Sequence, residues 1–393
     1  MTDLETRPAP TPSALRRAAP ALLGYAAVRA LGLLTLTLWS AARDKSAYTL
    51  LTARWDSLWY TRVAELGYGY EVRLPNGDVH SNLAFFPLLP WLERGLAAIS
   101  PLSYADAGFV VSLLASLAAA WGIFAVADHV YGRRAGVCAV LVWALLPVGI
   151  VQSMAYSESL FTALAAWSLY AVLTGRWVLA GALASLAGLT RPVGLAVVAA
   201  VWVTAIASFV RDRNAARADS TPALTPAPVL PRALGMLLAP LGAAGYVLWV
   251  GHRTGKGPLG YLDVQAGWRN GFDGGYAFAR FVGEKFASFP SALAGVGLII
   301  GVGLVVWLYV ICVRQRQPLP LLVYAGVVTA LALCASSYFG SKPRLLLPAF
   351  PLLFPLALAL ARLRTSRSVL VVGGIALASA VYGAFWLNGS GPP

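Results

Sequence analysis

Long apolar runs alternate with short polar or basic segments along most of the chain. A helix needs about 20 mainly apolar residues to cross the hydrocarbon core of a bilayer. Inside that core only helices or closed barrels can pair all of their backbone hydrogen-bonding groups. The pattern therefore predicts an all-α, polytopic transmembrane fold with about 11 spans. The predicted spans are 18–41, 108–130, 136–152, 158–174, 177–190, 192–210, 233–251, 290–313, 319–338, 344–361 and 368–387.

Two apolar segments need a separate interpretation. The stretch 177–210 is long enough for one helix or two, and we predict two because Arg191 is followed by Pro192. A proline disfavours helical backbone at the residue before it. The segment 82–100 contains two prolines and an internal Glu93-Arg94 pair. It is predicted to be an interfacial or re-entrant element rather than a span.

The spans organise the chain into one transmembrane domain, 18–387. Two long loops, 42–107 and 252–289, are predicted on one side of the membrane. Pro- and Thr-rich sequence at the start predicts a disordered tail. The remaining predicted segments are a disordered cytoplasmic tail at 1–17, a flexible cytoplasmic linker at 211–232 and a short tail at 388–393.

The composition excludes a soluble fold. Of the 393 residues 59% are hydrophobic and 12% are charged, whereas soluble domains carry about 25% charged residues. The net charge of +14 is spread over short loops between apolar runs. We therefore expect the basic residues to meet membrane lipids and not nucleic acid. The three cysteines match no zinc or disulfide spacing.

The basic loops predict the orientation. Short loops that contain almost no acids fall on one side together with Arg16 and Arg17, and this side is expected to be cytoplasmic. The N-terminus is then cytoplasmic as well. The two long loops collect most of the acids and many aromatic residues. Long loops with their own chemistry usually carry function, so the working face is predicted to be extracytoplasmic.

The first candidate for chemistry is Asp56, which lies just past the first span. It follows Arg54 and Trp55 and precedes Trp59 and Tyr60. A carboxylate in a partly apolar setting at the membrane surface can accept a proton from a sugar hydroxyl. The alternative is that Asp56 caps an interfacial helix and the tryptophans belong to a membrane belt.

Further candidates stand at the outer ends of predicted spans. Glu158 begins a span, where it either contacts a sugar hydroxyl or serves as a first-turn acid favoured by the helix dipole. Cations at membrane depth are costly and usually paired. Arg191, Lys342 and Arg344 are therefore candidates to bind a lipid-linked phosphate, the alternative being snorkelling to bulk lipid headgroups.

Several motifs are missing. The chain has no Asp-x-Asp pair, no Walker loop and no Gly-rich nucleotide turn, and its three histidines are scattered. This argues against nucleotide-sugar donors and ATP-driven transport. No metal ligand is predicted and no cofactor is assigned, and the use of a divalent cation stays open.

Six motifs occur in a fixed order along most of the chain. They are RWDSLWY (54–60), GY (67–68), AFFPLLP (84–90), AYSESLF (155–161), LTRPVG (189–194) and RLLLPAFPL (344–352). In these motifs and their order the chain resembles the PIG-V-like mannosyltransferases, the family of the second GPI mannosyltransferase, within the GT-C membrane glycosyltransferases. The resemblance implies a polyprenyl- or dolichyl-phosphate-mannose donor, inverting transfer outside the cytoplasm, and a catalytic Asp that falls on Asp56.

The source and the acceptor follow less directly. A composition rich in Ala, Leu, Val and Arg and poor in Lys is typical of a high-GC bacterium such as an actinobacterium. The predicted location is then the bacterial plasma membrane. The donor would be polyprenyl-phosphate mannose, and the acceptor a glycolipid, a glycan or a protein. The predicted substrate-binding residues are Arg54, Trp55, Tyr60, Glu71, His80, Asn82, Tyr156, Glu158, Arg191, Lys342 and Arg344.

Two other functions stay open at this point. A transporter or flippase of lipid-linked sugars would have charged residues buried in mid-span and inverted repeats with broken helices. Here the spans are nearly free of charge away from their ends, apart from Arg29 and Asp128. The second alternative is a non-catalytic subunit of a mannosyltransferase.

Overall fold

A computed structural model describes residues 14–217 and 229–391, and 78% of these residues are helical. The N-terminal part is one long helix followed by a loop region that contains short elements. A two-stranded antiparallel hairpin in this region pairs Val72 with His80. The elements are α1 (Ala14–Ala41), α2 (Ala47–Thr52), α3 (Asp56–Leu66), β1 (Glu71–Arg73), β2 (Val79–Ser81) and α4 (Leu88–Ala98).

The middle of the chain is a series of packed helices, the last two of which follow each other within one candidate span, Val229–Thr254. The most extensive packing is between the first and third helices of the series, and the first helix also packs on the second. The helices are α5 (Tyr104–Tyr131), α6 (Arg133–Ala144), α7 (Ser157–Leu173), α8 (Trp177–Gly188), α9 (Leu195–Arg217), α10 (Val229–Leu238) and α11 (Leu241–Thr254).

The last part begins with a second loop region and returns to the bundle. A two-residue bridge pairs Gly271 with Ser336 and so ties the loop to the end of a later helix. The elements are α12 (Gly260–Gly267), β3 (Gly271–Phe272), α13 (Tyr276–Glu284), α14 (Ser291–Arg314), α15 (Leu319–Cys334), β4 (Ala335–Ser336), α16 (Lys342–Leu345), α17 (Phe354–Arg362) and α18 (Thr365–Leu387).

The all-α membrane fold is confirmed. Within the described ranges six helices are long and apolar enough to cross a membrane, or up to eight if two sharply bent pairs each count as one span. Every predicted span overlaps with one of these helices, with one bent pair or with one of the shorter apolar helices α7, α8 and α15. The number of spans itself stays a prediction. Short β-strands in the two loop regions are the part that an all-α prediction does not include.

The two ambiguous apolar segments have distinct structures. The stretch 177–210 is two helices, because α8 ends at Gly188 and a 3-10 turn at Pro192–Gly194 precedes α9. The segment 82–100 folds as a 3-10 turn and the 11-residue helix α4, which packs on α3 and α5. At this length α4 is too short for a span.

The predicted tails are shorter in the structure. Helix α1 begins at Ala14 and not at residue 18, and Arg17 on its first turns pairs with Asp128 at 2.8 Å. At the other end Asn388 is buried and donates a hydrogen bond to Ser40 Oγ at 3.0 Å. Residues 1–13 and 392–393 of the predicted tails lie outside the described residues.

The predicted linker 211–232 is also partly helical. Helix α9 continues to Arg217 and α10 begins at Val229, while residues 218–228 lie outside the described residues. The side chains of Asp212 and Arg232 form an ion pair at 2.7 Å that joins the two helices. An apolar count stops at the first charges, whereas a helix continues as long as its charged side chains reach water or a partner.

The bundle has two chemically different ends. At the end that we call the basic end, the first turns of α1 meet the end of α5, and Arg134 donates to the carbonyl of Leu363. At the opposite end, which we call the site end, α1, α11 and α18 end and α5 and α7 begin. Both long loop regions lie at the site end.

Small residues permit the closest helix contacts. A side chain at Gly181 in α8 would collide with the backbone of Gly235 in α10, and the reverse contact is equally tight against Trp177. Close backbone approach of this kind is typical of helix pairs in membranes, where burial of apolar surface does not drive association.

Arg29 is the one predicted mid-span cation of α1, and it is buried. Its guanidinium donates to the backbone carbonyls of Gly149 and Ala144, at the point where α6 bends by 90° into the 3-10 segment Pro147–Ser153. A broken helix leaves carbonyls without intrahelical donors. Arg29 satisfies them and so has a structural partner.

Glu93 on α4 is a buried acid of a different kind. Its side chain is 0% exposed and lies against Gly108 of α5. Within the described residues neither carboxyl oxygen has a hydrogen-bond partner. Burial raises the pKa of Glu93 well above its ordinary value, so folding favours the protonated form of this carboxyl.

We predict that Glu93 makes stability fall as pH rises. Between the ordinary pKa of Glu and the raised value, the folded protein binds one proton more than the unfolded chain, so the free energy of unfolding decreases with pH. In thermal unfolding of the detergent-solubilised protein from pH 5 to 8, the Glu93→Gln variant should lose less stability than wild type. Glu65→Gln, which alters an exposed acid on α3, is the control. Parallel pH profiles for wild type and Glu93→Gln would contradict the prediction.

Candidate active site

Asp56 is the first residue of α3 and is positioned by an unusual backbone. Trp55 before it has φ 55°, a conformation that costs a non-glycine residue about 1–3 kcal/mol. Two contacts hold this turn. Ser57 Oγ accepts from the Arg54 N–H at 2.9 Å and donates to the Arg54 carbonyl at 2.7 Å, while the Arg54 guanidinium stacks 4.0 Å from the Trp55 ring. Strain of this kind is typical of functional sites.

Arg344 is the direct partner of Asp56. Its Nη1 donates to Asp56 Oδ2 at 2.7 Å, and its Nε lies 3.3 Å from Glu158 Oε1. The side chain of Arg344 is 9% exposed. A buried guanidinium requires anionic partners, and here two acids from distant parts of the chain provide them.

Glu158 lies in the first turn of α7 and pairs with a second arginine. Its carboxylate forms an ion pair with Arg191, which stands at the break between α8 and α9. Arg191 Nη1 also donates to Ser157 Oγ at 3.3 Å. The side chain of Glu158 is 1% exposed, so it reaches no water and contacts both arginines at once.

Two tyrosines line these charges. The Asp56 N–H donates to the Tyr156 hydroxyl at 3.4 Å, and the Arg344 guanidinium lies 5.0 Å from the centre of the Tyr156 ring. The Tyr60 hydroxyl is 2.7 Å from Ser157 Oγ. Burial raises the pKa of Tyr60, so its hydroxyl stays neutral.

We call Asp56, Glu158, Arg191 and Arg344 the charge cluster. The formal charges of its two acids and two arginines cancel. Of the two acids only Asp56 is within reach of water, because its side chain is 27% exposed. The cluster thus combines an accessible carboxylate with two guanidinium groups that can bind an oxyanion at the end of the bundle. This arrangement fits proton transfer next to an anionic leaving group.

Lys342 is predicted to bind substrate, but its amine points into the protein. Nζ donates to the carbonyls of Ala332 and Ala335, each at 2.8 Å, and caps the end of α15. The rings of Phe278 and Phe339 lie 4.7 and 5.5 Å from Nζ. Lys342 therefore contacts backbone where Arg344, two residues later, contacts the acids.

Three other predicted residues build the first loop region. Asn82 is buried, and its side-chain amide accepts from Gly69 N–H and donates to the Gly67 carbonyl, both at 3.0 Å. His80 stacks on Trp268 at 4.0 Å, and burial lowers its pKa. Glu71 is exposed on β1. No contact with the charge cluster is found for these three within the described residues.

Sequence reasoning did not identify Trp268, which joins the two loop regions. Its ring packs edge-on against Trp59 at 4.9 Å and Phe85 at 5.5 Å. Arg269 next to it pairs with Asp78 at 2.6 Å. Trp59 is one turn after Asp56 on α3, so this aromatic group lies beside the cluster on the same helix. The sequence showed that both loops are rich in aromatic residues. It did not show which of these residues contact each other.

An apolar groove of about 570 Å³ opens on the side of the bundle. Four helices line it, α4, α5, α7 and α8. Leu160 in the groove is in the same turn of α7 as Glu158 of the charge cluster. Residues two apart on a helix face different directions, so the groove begins at the level of the cluster but on another face of α7. Its lining is apolar and includes Leu92, Val111, Leu164, Trp167 and Leu183.

No metal centre is found in the part of the chain that the structure describes. No three His, Cys, Asp or Glu residues among residues 14–217 and 229–391 are grouped closely enough to hold an ion. The three cysteines are free, and two of them are buried.

Comparison with known proteins gives one partial family match. The family described as dolichyl-phosphate-mannose-protein mannosyltransferase matches residues 82–226. This range contains Glu158 and Arg191 but is less than half of the chain. No curated protein sequence matches.

Solved structures give the fold. ArnT from Cupriavidus metallidurans, bound to undecaprenyl phosphate, superimposes with a TM-score of 0.52 at 15% identity over 92% of this chain and 74% of that chain. The apo form of the same protein gives 0.50 at 15% identity, over 84% and 68% of the two chains. The oligosaccharyltransferase AglB from Archaeoglobus fulgidus gives 0.48 at 12% identity, over 94% and 56%.

The similarity to ArnT defines the class of fold. ArnT is a GT-C membrane protein, and this chain shares its helical arrangement over most of its length. The chain therefore has the fold of the GT-C membrane glycosyltransferases.

We predict that Glu158 is needed for stability because it neutralises two arginines. Removing one partner of a buried ion pair typically costs about 3–5 kcal/mol, so Glu158→Ala should lower the unfolding temperature of the purified protein markedly. Glu284→Ala, which breaks an exposed pair with Arg280 on α13, should have little effect. An unfolding temperature of Glu158→Ala equal to that of wild type would show that the arginines do not depend on this acid.

Proposed function

We propose that the chain is an inverting glycosyltransferase. It would transfer mannose from a polyprenyl-phosphate carrier to a hydroxyl of an acceptor, on the extracytoplasmic face of a bacterial plasma membrane. The observation that carries this proposal is the charge cluster at the site end of a GT-C fold, where Arg344 contacts Asp56 at 2.7 Å. The family match and the motif order add support for mannose and for a lipid-phosphate donor.

The donor is a lipid with an anionic phosphate, and two features accommodate it. Arg191 and Arg344 supply the positive charge for the phosphate at the end of the bundle. The apolar groove that begins beside Leu160 offers a path for the polyprenyl tail. Such a site binds head and tail at the membrane boundary without drawing the lipid into water.

Asp56 acts as the general base. As the acceptor hydroxyl oxygen attacks the anomeric carbon, its proton moves to the Asp56 carboxylate. The bond between the anomeric carbon and the phosphate oxygen breaks, and its electron pair stays on the phosphate. Arg191 and Arg344 stabilise the negative charge that develops there. Attack from the face opposite the phosphate inverts the anomeric centre.

Neighbouring side chains position the reactants. Tyr156 and Trp55 adjoin Asp56 directly, and Arg54 holds the turn that presents it. Tyr60 binds Ser157 and so links α3 to the start of α7. We propose that the acceptor approaches over the first loop region, where Glu71 is exposed and His80 stacks on Trp268. Asn82 supports this surface through its bonds to the backbone of Gly67 and Gly69, while Lys342 fixes the end of α15 next to Arg344.

The nature of the acceptor is left at three classes, a glycolipid, a glycan or a protein. The exposed aromatic loops are compatible with each of them. A lipid-linked sugar flippase is the second candidate function. It is less favoured because Arg29 and Asp128, the charges that would mark a transport path, are each paired with a structural partner.

We predict that Asp56→Asn strongly lowers the rate of transfer while leaving the fold intact. Loss of a general base typically costs about 10²–10⁴ in rate. The assay uses the purified full chain in detergent with radiolabelled polyprenyl-phosphate mannose and a total lipid extract as acceptor. Asp263→Asn, which changes an exposed acid paired with Lys256 on the second loop region, is the matched control and should retain activity.

The same assay tests the rival functions. Transfer by Asp56→Asn at the wild-type rate would exclude Asp56 as the base. Binding of the donor without transfer by wild type would favour a flippase or a non-catalytic subunit. Polyprenyl-phosphate glucose as a second donor tests whether mannose is the sugar used.

We also predict that the site end faces outward. In a background in which Cys138, Cys312 and Cys334 are replaced by Ala, Lys256→Cys should react with a membrane-impermeant maleimide on intact cells. Arg364→Cys at the basic end should react only after the cells are permeabilised. Both positions are exposed, so accessibility depends on the membrane alone. The reverse labelling pattern would place the site in the cytoplasm.

A further inference from the structure

The proposed base is not free in this structure. The Asp56 carboxylate is held by Arg344 at 2.7 Å, and the same arginine is one of the two cations available to the donor phosphate. An arginine engaged with a carboxylate has to be shared when a phosphate arrives. This conflict is built into the charge cluster and has a consequence for the order of events.

The charges decide which contact gives way. Without substrate, two acids and two arginines balance. The phosphodiester of a lipid-linked sugar adds one negative charge, so two guanidinium groups then face three anions. Glu158 is 1% exposed and lies between both arginines, so it has nowhere to go. Asp56 is 27% exposed and is the acid that can turn to water or to an acceptor.

We propose that the Asp56–Arg344 ion pair is an inhibitory contact that the donor phosphate breaks. Arg344 keeps Glu158 as an anchor and exchanges Asp56 for the phosphate. Asp56 is then a free carboxylate beside the acceptor path. Asp56 Oδ2, which Arg344 occupies, is the oxygen that receives the proton of the acceptor, so the base becomes competent only after the donor is bound. The inference rests on the proposed function and adds to it an order, donor first and acceptor second.

Two features of Arg344 support this exchange. A guanidinium presents five N–H donors in a planar fork, and the contacts with Asp56 and Glu158 involve different nitrogens, Nη1 and Nε. Breaking the first contact therefore leaves the second in place. Arg344 also lies on the one-turn helix α16, and Lys342 of the same helix fixes α16 to the end of α15. The backbone can stay still while the Asp56 side chain moves.

The exchange is tested by the chemical reactivity of Asp56. The full chain in dodecyl maltoside is treated with a water-soluble carbodiimide and an amine, and labelling of the Asp56 peptide is quantified by mass spectrometry. Asp263, an exposed acid on α12, is the internal standard. Polyprenyl phosphate, inorganic phosphate and phosphatidylglycerol are added in separate arms, and binding of radiolabelled polyprenyl phosphate is measured in parallel.

We expect polyprenyl phosphate to raise Asp56 labelling several-fold, at concentrations where the other two phosphates have no effect. Arg344→Gln should show high labelling without any lipid, whereas Arg191→Gln should stay low, because Arg191 contacts Glu158 and not Asp56. If adding lipid lowers the labelling of Asp56 in Arg344→Gln, the decrease measures how much the lipid shields Asp56 from the reagent. The wild-type labelling is corrected by this amount. If Arg344→Gln does not fold, Arg344→Lys replaces it, since a single ammonium lacks the fork that spans both acids.

The outcomes separate the two proposals. Bound polyprenyl phosphate with unchanged labelling, after the shielding correction, would overturn the inhibitory contact and leave the donor class standing. An absence of binding would overturn the donor class and the contact together. A response to inorganic phosphate equal to that of the lipid would show that the exchange occurs without a lipid tail and would overturn its assignment to the donor.

Discussion

The pairing of Arg344 with Asp56 and Glu158 is the contact on which the arrangement of the site depends. The three residues come from α16, α3 and α7, which are far apart in the sequence. A buried guanidinium without a counter-charge is strongly unfavourable, so the helices that carry these residues are held in one mutual position. Arg191 adds the break between α8 and α9 to the same set through Glu158. The ends of four separate segments are thus defined by a few ionic contacts.

The sequence predicted the helices well because the bilayer imposes a simple rule. A span must be long and apolar, and an apolar run can be counted. The break at Arg191 and Pro192 was predictable for the same local reason, since proline restricts the residue before it. Counting apolar residues did not predict that α1 begins at Ala14 or that α9 continues to Arg217. Those turns depend on Arg17 reaching Asp128 and on Asp212 reaching Arg232, which are tertiary contacts.

The site shows the same division between local and tertiary information. Glu158, Arg191 and Arg344 were identifiable as polar residues at the ends of apolar runs, and Asp56 as an acid among aromatic residues in the first long loop. Their pairing was not, because nothing local joins residue 56 to residue 344. Lys342 illustrates the limit. It shares a one-turn helix with Arg344, but residues two apart on a helix face different directions. One of the two side chains therefore reaches the acids and the other the backbone carbonyls of α15.

Neutrality explains why the charge cluster can exist and, under the proposed function, why an anionic substrate would disturb it. Four ionised groups at membrane depth are tolerable only when their charges cancel and their contacts are close. A protein that binds an anionic lipid at this place cannot leave its arginines unpaired in the absence of substrate, since unpaired arginines would destabilise the substrate-free fold. It has to pair them with its own acids and release one acid when the ligand arrives. If the released acid is also the base, the ion pair that neutralises the empty site also keeps the base inactive until the donor is bound. In the proposed exchange the accessible Asp56 and the inaccessible Glu158 would divide these tasks, one acid exchanging with the ligand and the other keeping the arginines in place.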